Sequence, residues 1–239
     1  MSSWHPDASS LAVDEPRLPP RKRGRRALRA IGKAVREKRE SVAVATYGEM
    51  RRAFRTGDLL LFRGRGLLSS IIRLITRSPY SHAGLVYTFE GRVYCVEAVG
   101  AGVRIILLSE LLRRYHGGVD YFEIEASDKQ RRRAVSFCFQ QLGKFYDKPG
   151  IFRFAVSLVF DRRAVSRDDR WFCSELVAAA YAAQDQPLTA VQEAYTSPSD
   201  LAMSPRVKLV CSLKEEDAGE VVARGEQAGG EAPEERPAV

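Results

Sequence analysis

This 239-residue chain is poor in the residues that build metal centres and cross-links: three histidines, four cysteines and no Cys-x-x-Cys. The cysteines (Cys95, Cys138, Cys173, Cys211) show neither metal nor disulfide spacing, and the histidines lie far apart in sequence. A zinc ribbon and a disulfide scaffold are therefore excluded, and neither a metal nor an organic cofactor is expected. Long apolar runs are also missing. The longest, at 151–160, is too short to span a bilayer and carries Arg153. The N-terminus lacks the apolar stretch of a secretory signal, which predicts a reduced, cytoplasmic protein and leaves a periplasmic or envelope location open. The Arg21–Arg29 run has no aromatic residue for stacking on bases.

What is present is ordinary globular material, 45% hydrophobic and 28% charged, enough for one sizeable core with tails. Its charge is uneven. Residues 1–55 hold 14 Lys/Arg against 6 Asp/Glu, residues 56–213 hold 21 against 16, and residues 214–239 hold 3 against 8. The pattern predicts a disordered basic arm (1–25), a helical extension (26–54), one main domain (55–213) and a disordered acidic tail (214–239). The arm suits solubility, with a weak contact to an anionic surface as its further use. Oligomeric state is not readable from these features.

Periodicity orders the rest. Leu28, Ile31 and Val35 predict an amphipathic helix over 27–40, and a second short helix is expected over 43–54. Leu59–Phe62 is a buried strand, and Leu67 to Arg77 a helix stopped by Ser78-Pro79. A hairpin over 82–99 turns at Glu90-Gly91. Strands at 103–107, 119–124 and 206–213 follow, with helices at 109–115, 128–143 and 151–160. An alanine-rich helix then runs from Ser174 to about Ala183.

Cys173 stands at the mouth of that last helix, where unpaired N–H groups and the macrodipole favour thiolate. Position alone leaves open a buried structural cysteine. A nucleophile needs a base, and the histidines offer one. His5 lies in the arm and His116 at a surface-looking helix end, whereas His82 opens an apolar strand. With Glu90-Gly91 as a two-residue turn, Phe89 faces Arg92, Val86 faces Cys95 and Gly84 faces Glu97. His82 and Glu97 then share one face diagonally, with Gly84 leaving room between them. A buried glutamate in an apolar strand gains a partner that way. A purely structural His–Glu pair is the other reading. Cys95 shares the face but lacks a helix dipole; Cys138 and Cys211 read as core, and Asp58 as a turn or cap residue.

Taken in order, Gly57-Asp58-Leu59, Ser81-His82-Ala83-Gly84, Val96-Glu97-Ala98, Tyr146-Asp147 and Phe172-Cys173-Ser174-Glu175-Leu176-Val177 resemble the permuted papain-like amidases of the YaeF/YiiX type, an NlpC-like cysteine peptidase branch. Ser197-Pro198-Ser199-Asp200-Leu201 resembles that family's segment after the cysteine helix. The match runs from about Arg55 to Leu213. It implies a circularly permuted papain-like α+β fold, an antiparallel sheet in which the histidine strand precedes the cysteine helix. It also implies Cys173 as nucleophile, His82 as base and Glu97 as the orienting residue. Tyr146 and Asp147, and Tyr80 and Ser81 beside His82, are expected to line or shape the substrate cleft.

The expected activity is cleavage of an amide, such as a cell-wall peptide, through a thioester. A lipid ester hydrolase or acyltransferase on the same fold is the alternative, since fold does not fix reaction class. The competing class is a binding protein that uses the basic arm on nucleic acid or membrane.

Overall fold

The computed structural model describes residues 25–99, 102–142, 173–190 and 196–214. The basic arm, most of the acidic tail, the loop with Tyr146 and Asp147, and the helix expected at 151–160 lie outside the described residues.

Seven strands form one sheet: β1 (Ala43–Thr46), β2 (Leu59–Gly64), β3 (His82–Phe89), β4 (Arg92–Val99), β5 (Gly102–Leu107), β6 (Gly117–Ile124) and β7 (Val207–Lys214). Their spatial order is β1-β7-β6-β2-β3-β4-β5, antiparallel throughout except for the β1–β7 pair. The helices are α1 (Arg25–Glu40), α2 (Tyr47–Met50), α3 (Leu67–Thr76), α4 (Leu108–Arg114), α5 (Asp128–Phe139), α6 (Cys173–Ala182) and α7 (Pro198–Ala202).

The continuous apolar run at 59–62 now has its reason. β2 is central, and its alternate side chains enter two cores. Leu59 and Leu61 join Leu85, Val96 and Phe122 under α1, α5, α6 and α7, which contribute Val35, Val135, Leu176 and Leu201. Leu60 and Phe62 join Val86, Cys95 and Tyr121 under α4, which contributes Leu108, Leu111 and Leu112. Each such side chain, fully buried, stabilises the fold by about 1.5–3 kcal/mol. The sheet is thus covered on both faces.

The helix expected over 43–54 is a correction. Residues 43–46 instead extend the sheet, because β7 offers an edge that Ala43–Thr46 satisfies in parallel register, Ala43 opposite Cys211. Only Tyr47–Met50 is helical there, started by a capping box between Thr46 and Glu49. The N-terminal extension is built into the domain. Gly32 lets α1 cross the end of α3, where a Cβ would stand 1.9 Å from the Arg77 carbonyl oxygen. Lys38 Nζ donates to the carbonyls of Ala202 and Val207, at 3.2 Å each.

Asp58 and Asp120 are buried knots in this frame. Asp58 accepts from Tyr121 Oη at 2.5 Å, from the Ile124 N–H at 3.0 Å and from Arg131. It ties the start of β2 to β6 and α5, a buried role in place of the turn or cap expected of it. Asp120 accepts from Tyr80, Ser212, Arg39 and Arg63.

The β3–β4 register is as expected, with Gly84 opposite Glu97 and Val86 opposite Cys95. A Cβ at position 84 would meet Cys95 Sγ at 2.6 Å and the Val96 carbonyl oxygen at 3.1 Å. Gly84→Ala is therefore expected to destabilise the fold by about 1–3 kcal/mol through overpacking. Cys95→Ala added to it should recover part of that loss, as read by urea unfolding.

Candidate active site

α6 begins at Cys173, which is 7% exposed, and its first residue meets the first residues of β3. Ser174 anchors this helix start by donating from Oγ to the Thr196 carbonyl at 2.6 Å. Thr196 precedes Ser197, whose side chain caps α7 in a capping box with Asp200. Thr196 thus ties the cysteine helix to the capped start of α7.

His82 Nε2 lies 2.7 Å from Glu97 Oε2. Cys173 is in hydrogen-bonding contact with the same imidazole. With Nε2 engaged by Glu97, Nδ1 is the ring nitrogen left for the sulfur. The structure therefore brings together the three residues expected to do so: Cys173, His82 and Glu97. The ring packs against Phe62 at a centroid distance of 5.1 Å, and Phe62 packs against Tyr115 at 5.2 Å.

Charge states follow from this geometry. Burial pushes the Cys173 thiol up, but the His82 charge and hydrogen bond, with backbone hydrogen bonds from Ala83 and Ser174, hold it below its ordinary 9.0. Burial alone would lower His82; the charge of Cys173, hydrogen bonds to Cys173 and Glu97, and the charge of Glu97 raise it to about 10. Glu97 stays ionised against its burial because His82 and Arg104 bind it. The other cysteines go the opposite way. Burial, then the Glu97 charge, raises Cys95 well above 9.0, and burial raises Cys138 to about 12. Burial, then the Asp120 charge, raises Cys211 to about 11. Of the four cysteines, Cys173 alone is shifted toward the thiolate.

Arg104 is the participant that sequence reasoning missed. Its Nε and one terminal nitrogen donate to Glu97 Oε1 at 2.9 and 2.6 Å, while His82 holds Oε2. β5 places Arg104 directly opposite Glu97. The signal was present, because pairing Val99 with Gly102 as a second hairpin gives that register by the arithmetic used for the first. Tyr115 was missed as well. Its hydroxyl bonds Ser81, yet burial raises it to about 12.

Two residues expected to line or shape the cleft, Tyr80 and Ser81, are buried just ahead of His82 in the chain. Tyr80 is fully buried and donates its hydroxyl to Asp120 at 2.7 Å, so it is part of the core. Ser81 is 5% exposed, and its Oγ accepts from the Gly64 N–H at 3.2 Å, so it braces β3 against β2. Both turn inward because the residues leading into β3 must satisfy buried polar groups of the neighbouring strands. His116 is exposed, as expected of a helix end.

Residues 53–211 match the family of permuted papain-like amidase enzymes, YaeF/YiiX, C92. The chain belongs to this family. It is 28% identical over 186 residues to the probable lipoprotein peptidase YaeF of Escherichia coli K12, covering 67% of this chain and 66% of YaeF. It is 30% identical over 136 residues to the uncharacterized protein YiiX of the same strain, covering 53% of this chain and 56% of YiiX. The chain thus spans two thirds or less of the curated relatives it matches. In fold it resembles the crystal structure of the metalloprotein yiiX from Escherichia coli O157:H7. That likeness has a TM-score of 0.52 at 23% identity, over 66% of this chain and 97% of the other. Among the described residues here, no group of three or more His, Cys, Asp or Glu side chains could hold a metal ion. No helix among them is long and apolar enough to cross a membrane. The α+β fold with the histidine strand ahead of the cysteine helix is the permuted order of this family.

The charge states give a titration test. Because His82 keeps its proton to about pH 10 and holds the Cys173 thiol below its ordinary 9.0, alkylation of Cys173 by iodoacetamide should reach its plateau at a lower pH than for an ordinary thiol. In His82→Ala the rate should instead climb through the ordinary thiol range, near pH 8.5. Mass spectrometry of the Cys173 peptide reads both.

Proposed function

We propose that the protein is a cysteine hydrolase that cleaves an amide bond through a thioester, with Cys173, His82 and Glu97 as its catalytic group. The observation that carries this reading is one imidazole shared between Cys173 and Glu97, at a helix start, in a member of the permuted papain-like amidases.

The chemistry runs as follows. The Cys173 thiolate attacks the carbonyl carbon and forms the C–S bond, and the oxygen takes up the charge. The N–H at the start of α6 and the helix dipole stabilise that oxyanion. The C–N bond breaks as the His82 imidazolium gives its proton to the departing amine. The neutral imidazole then takes a proton from water, whose oxygen attacks the thioester and expels the thiolate. Glu97 holds the ring in line and stabilises its cationic form. Arg104 is a positioning residue: it occupies one Glu97 oxygen and leaves the other for His82.

A peptide is the preferred substrate by family, and YaeF carries the name of a lipoprotein peptidase. A lipid ester or acyl transfer is the second reading. An envelope location goes with the first and a cytoplasmic one with the sequence expectation.

Fluorogenic peptide amides and acyl esters assayed in parallel test this, with intact-mass detection of an acyl group on Cys173. Cys173→Ala should abolish turnover, and His82→Ala should lower kcat/KM by about 10²–10⁴-fold. Glu97→Ala should cost more than Glu97→Gln, since an amide oxygen still accepts from the imidazole. Failure of Cys173 to be acylated by any of these substrates would overturn the reading.

A further inference from the structure

Two hollows sit side by side where α1 crosses α3 and the β2 end of the sheet. One, of about 430 Å³, is lined by Arg29, Arg36, Arg73 and Arg77. The other, of about 260 Å³, is lined by Arg39, Arg63, Arg65 and Arg73. Among the described residues, no carboxylate lines either. Arg39 and Arg63 are partly neutralised by Asp120, and Arg73 donates to the Gly64 carbonyl at 2.9 Å. The Nε atoms of Arg63 and Arg73 are nonetheless buried with no hydrogen-bond partner among the described residues. Arg36, Arg65 and Arg77 make no ion pair among those residues. Unpaired guanidinium donors converging on concave ground suit a phosphate group, which they bind through two parallel N–H donors.

Apolar side chains share the rim. Leu74, which lines the larger hollow, is 78% exposed, and Ile71 is 43% exposed one turn earlier on α3. Cationic hollows beside protruding aliphatic side chains match an anionic bilayer, with phosphates below and acyl chains beyond. A nucleic acid would use the arginines and leave the aliphatic side chains without a role. The surface also lies close to the candidate site. Arg63 follows Phe62, the residue paired with His82, and Gly64 is bonded to Ser81.

We propose that this face of the folded domain, apart from the basic arm, docks on an anionic phospholipid membrane. Arg36, Arg65 and Arg77 grip lipid phosphates there, and Leu74 enters the acyl region. The docking does not rest on the hydrolase reading.

The test is co-sedimentation of the full chain with vesicles of phosphatidylglycerol and phosphatidylcholine, against pure phosphatidylcholine and against a duplex DNA. The chain should bind the anionic vesicles, and less well as salt is raised. Arg36→Gln/Arg65→Gln/Arg77→Gln should bind them roughly a hundredfold more weakly. Leu74→Ser, at an exposed position that folding tolerates, should weaken vesicle binding and leave any DNA binding unchanged. Cys173→Ala should bind vesicles as the parent does, which keeps this proposal separable from the catalytic one. Equal binding by the triple variant would assign the affinity to the arm and overturn the proposal. So would parent binding to DNA with none to vesicles, or an unchanged affinity in Leu74→Ser.

Discussion

A carboxylate buried at 2% exposure is the constraint around which this molecule is arranged. Glu97 in the middle of an apolar sheet would be strongly unfavourable if unpaired. Each of its oxygens therefore has its own cation-capable partner, His82 on one and Arg104 on the other. Three adjacent strands are needed to supply them. The charge passes onward as well. A carboxylate held below its ordinary pKa favours the protonated imidazole, and the imidazolium in turn favours ionisation of the buried sulfur. What first looks like an isolated reactive cysteine is the end of a chain of charges that starts on the exposed side of β5.

The cost of that chain is met by the layers around it. Gly84 leaves out a side chain that would crowd Cys95 Sγ, the Val96 carbonyl and Glu97 Cβ. Phe62 packs against the imidazole, Tyr115 packs against Phe62, and Ser81 is fastened to the backbone of β2. Reactive groups held by packed strands and a helix anchored through Ser174 lose little order when a substrate arrives, which is how preorganised sites reduce their barriers.

Much of this could be read in the residues, and the divisions are physical. The hairpin from His82 to Val99 was legible because a two-residue turn fixes every pair outward from it. Cys173 was legible because a helix start is a local signal. Arg104 escaped because an arginine in an edge strand looks like a solvated side chain until its strand partner is known. The inward turn of Tyr80 and Ser81 left no trace in the residues, because nearness in sequence to His82 says nothing of which way a side chain turns. β1 escaped for a third reason: four residues with a parallel partner about 170 positions away leave no local trace.

The packing of α1 and β1 separates two boundaries that are easily confused. Similarity to the family starts at residue 53, yet Val35 lies in the main core, Arg39 binds Asp120, and β1 covers the edge of β7. The span shared by descent is shorter than the span that opens and closes together. Amide protons of α1 and of β7 should consequently exchange by the same opening event, since losing the first uncovers the edge, the buried aspartate and the carbonyls that hold the second. Evolutionary trimming of the ancestral segment, and physical cutting at the same point, would leave very different objects behind.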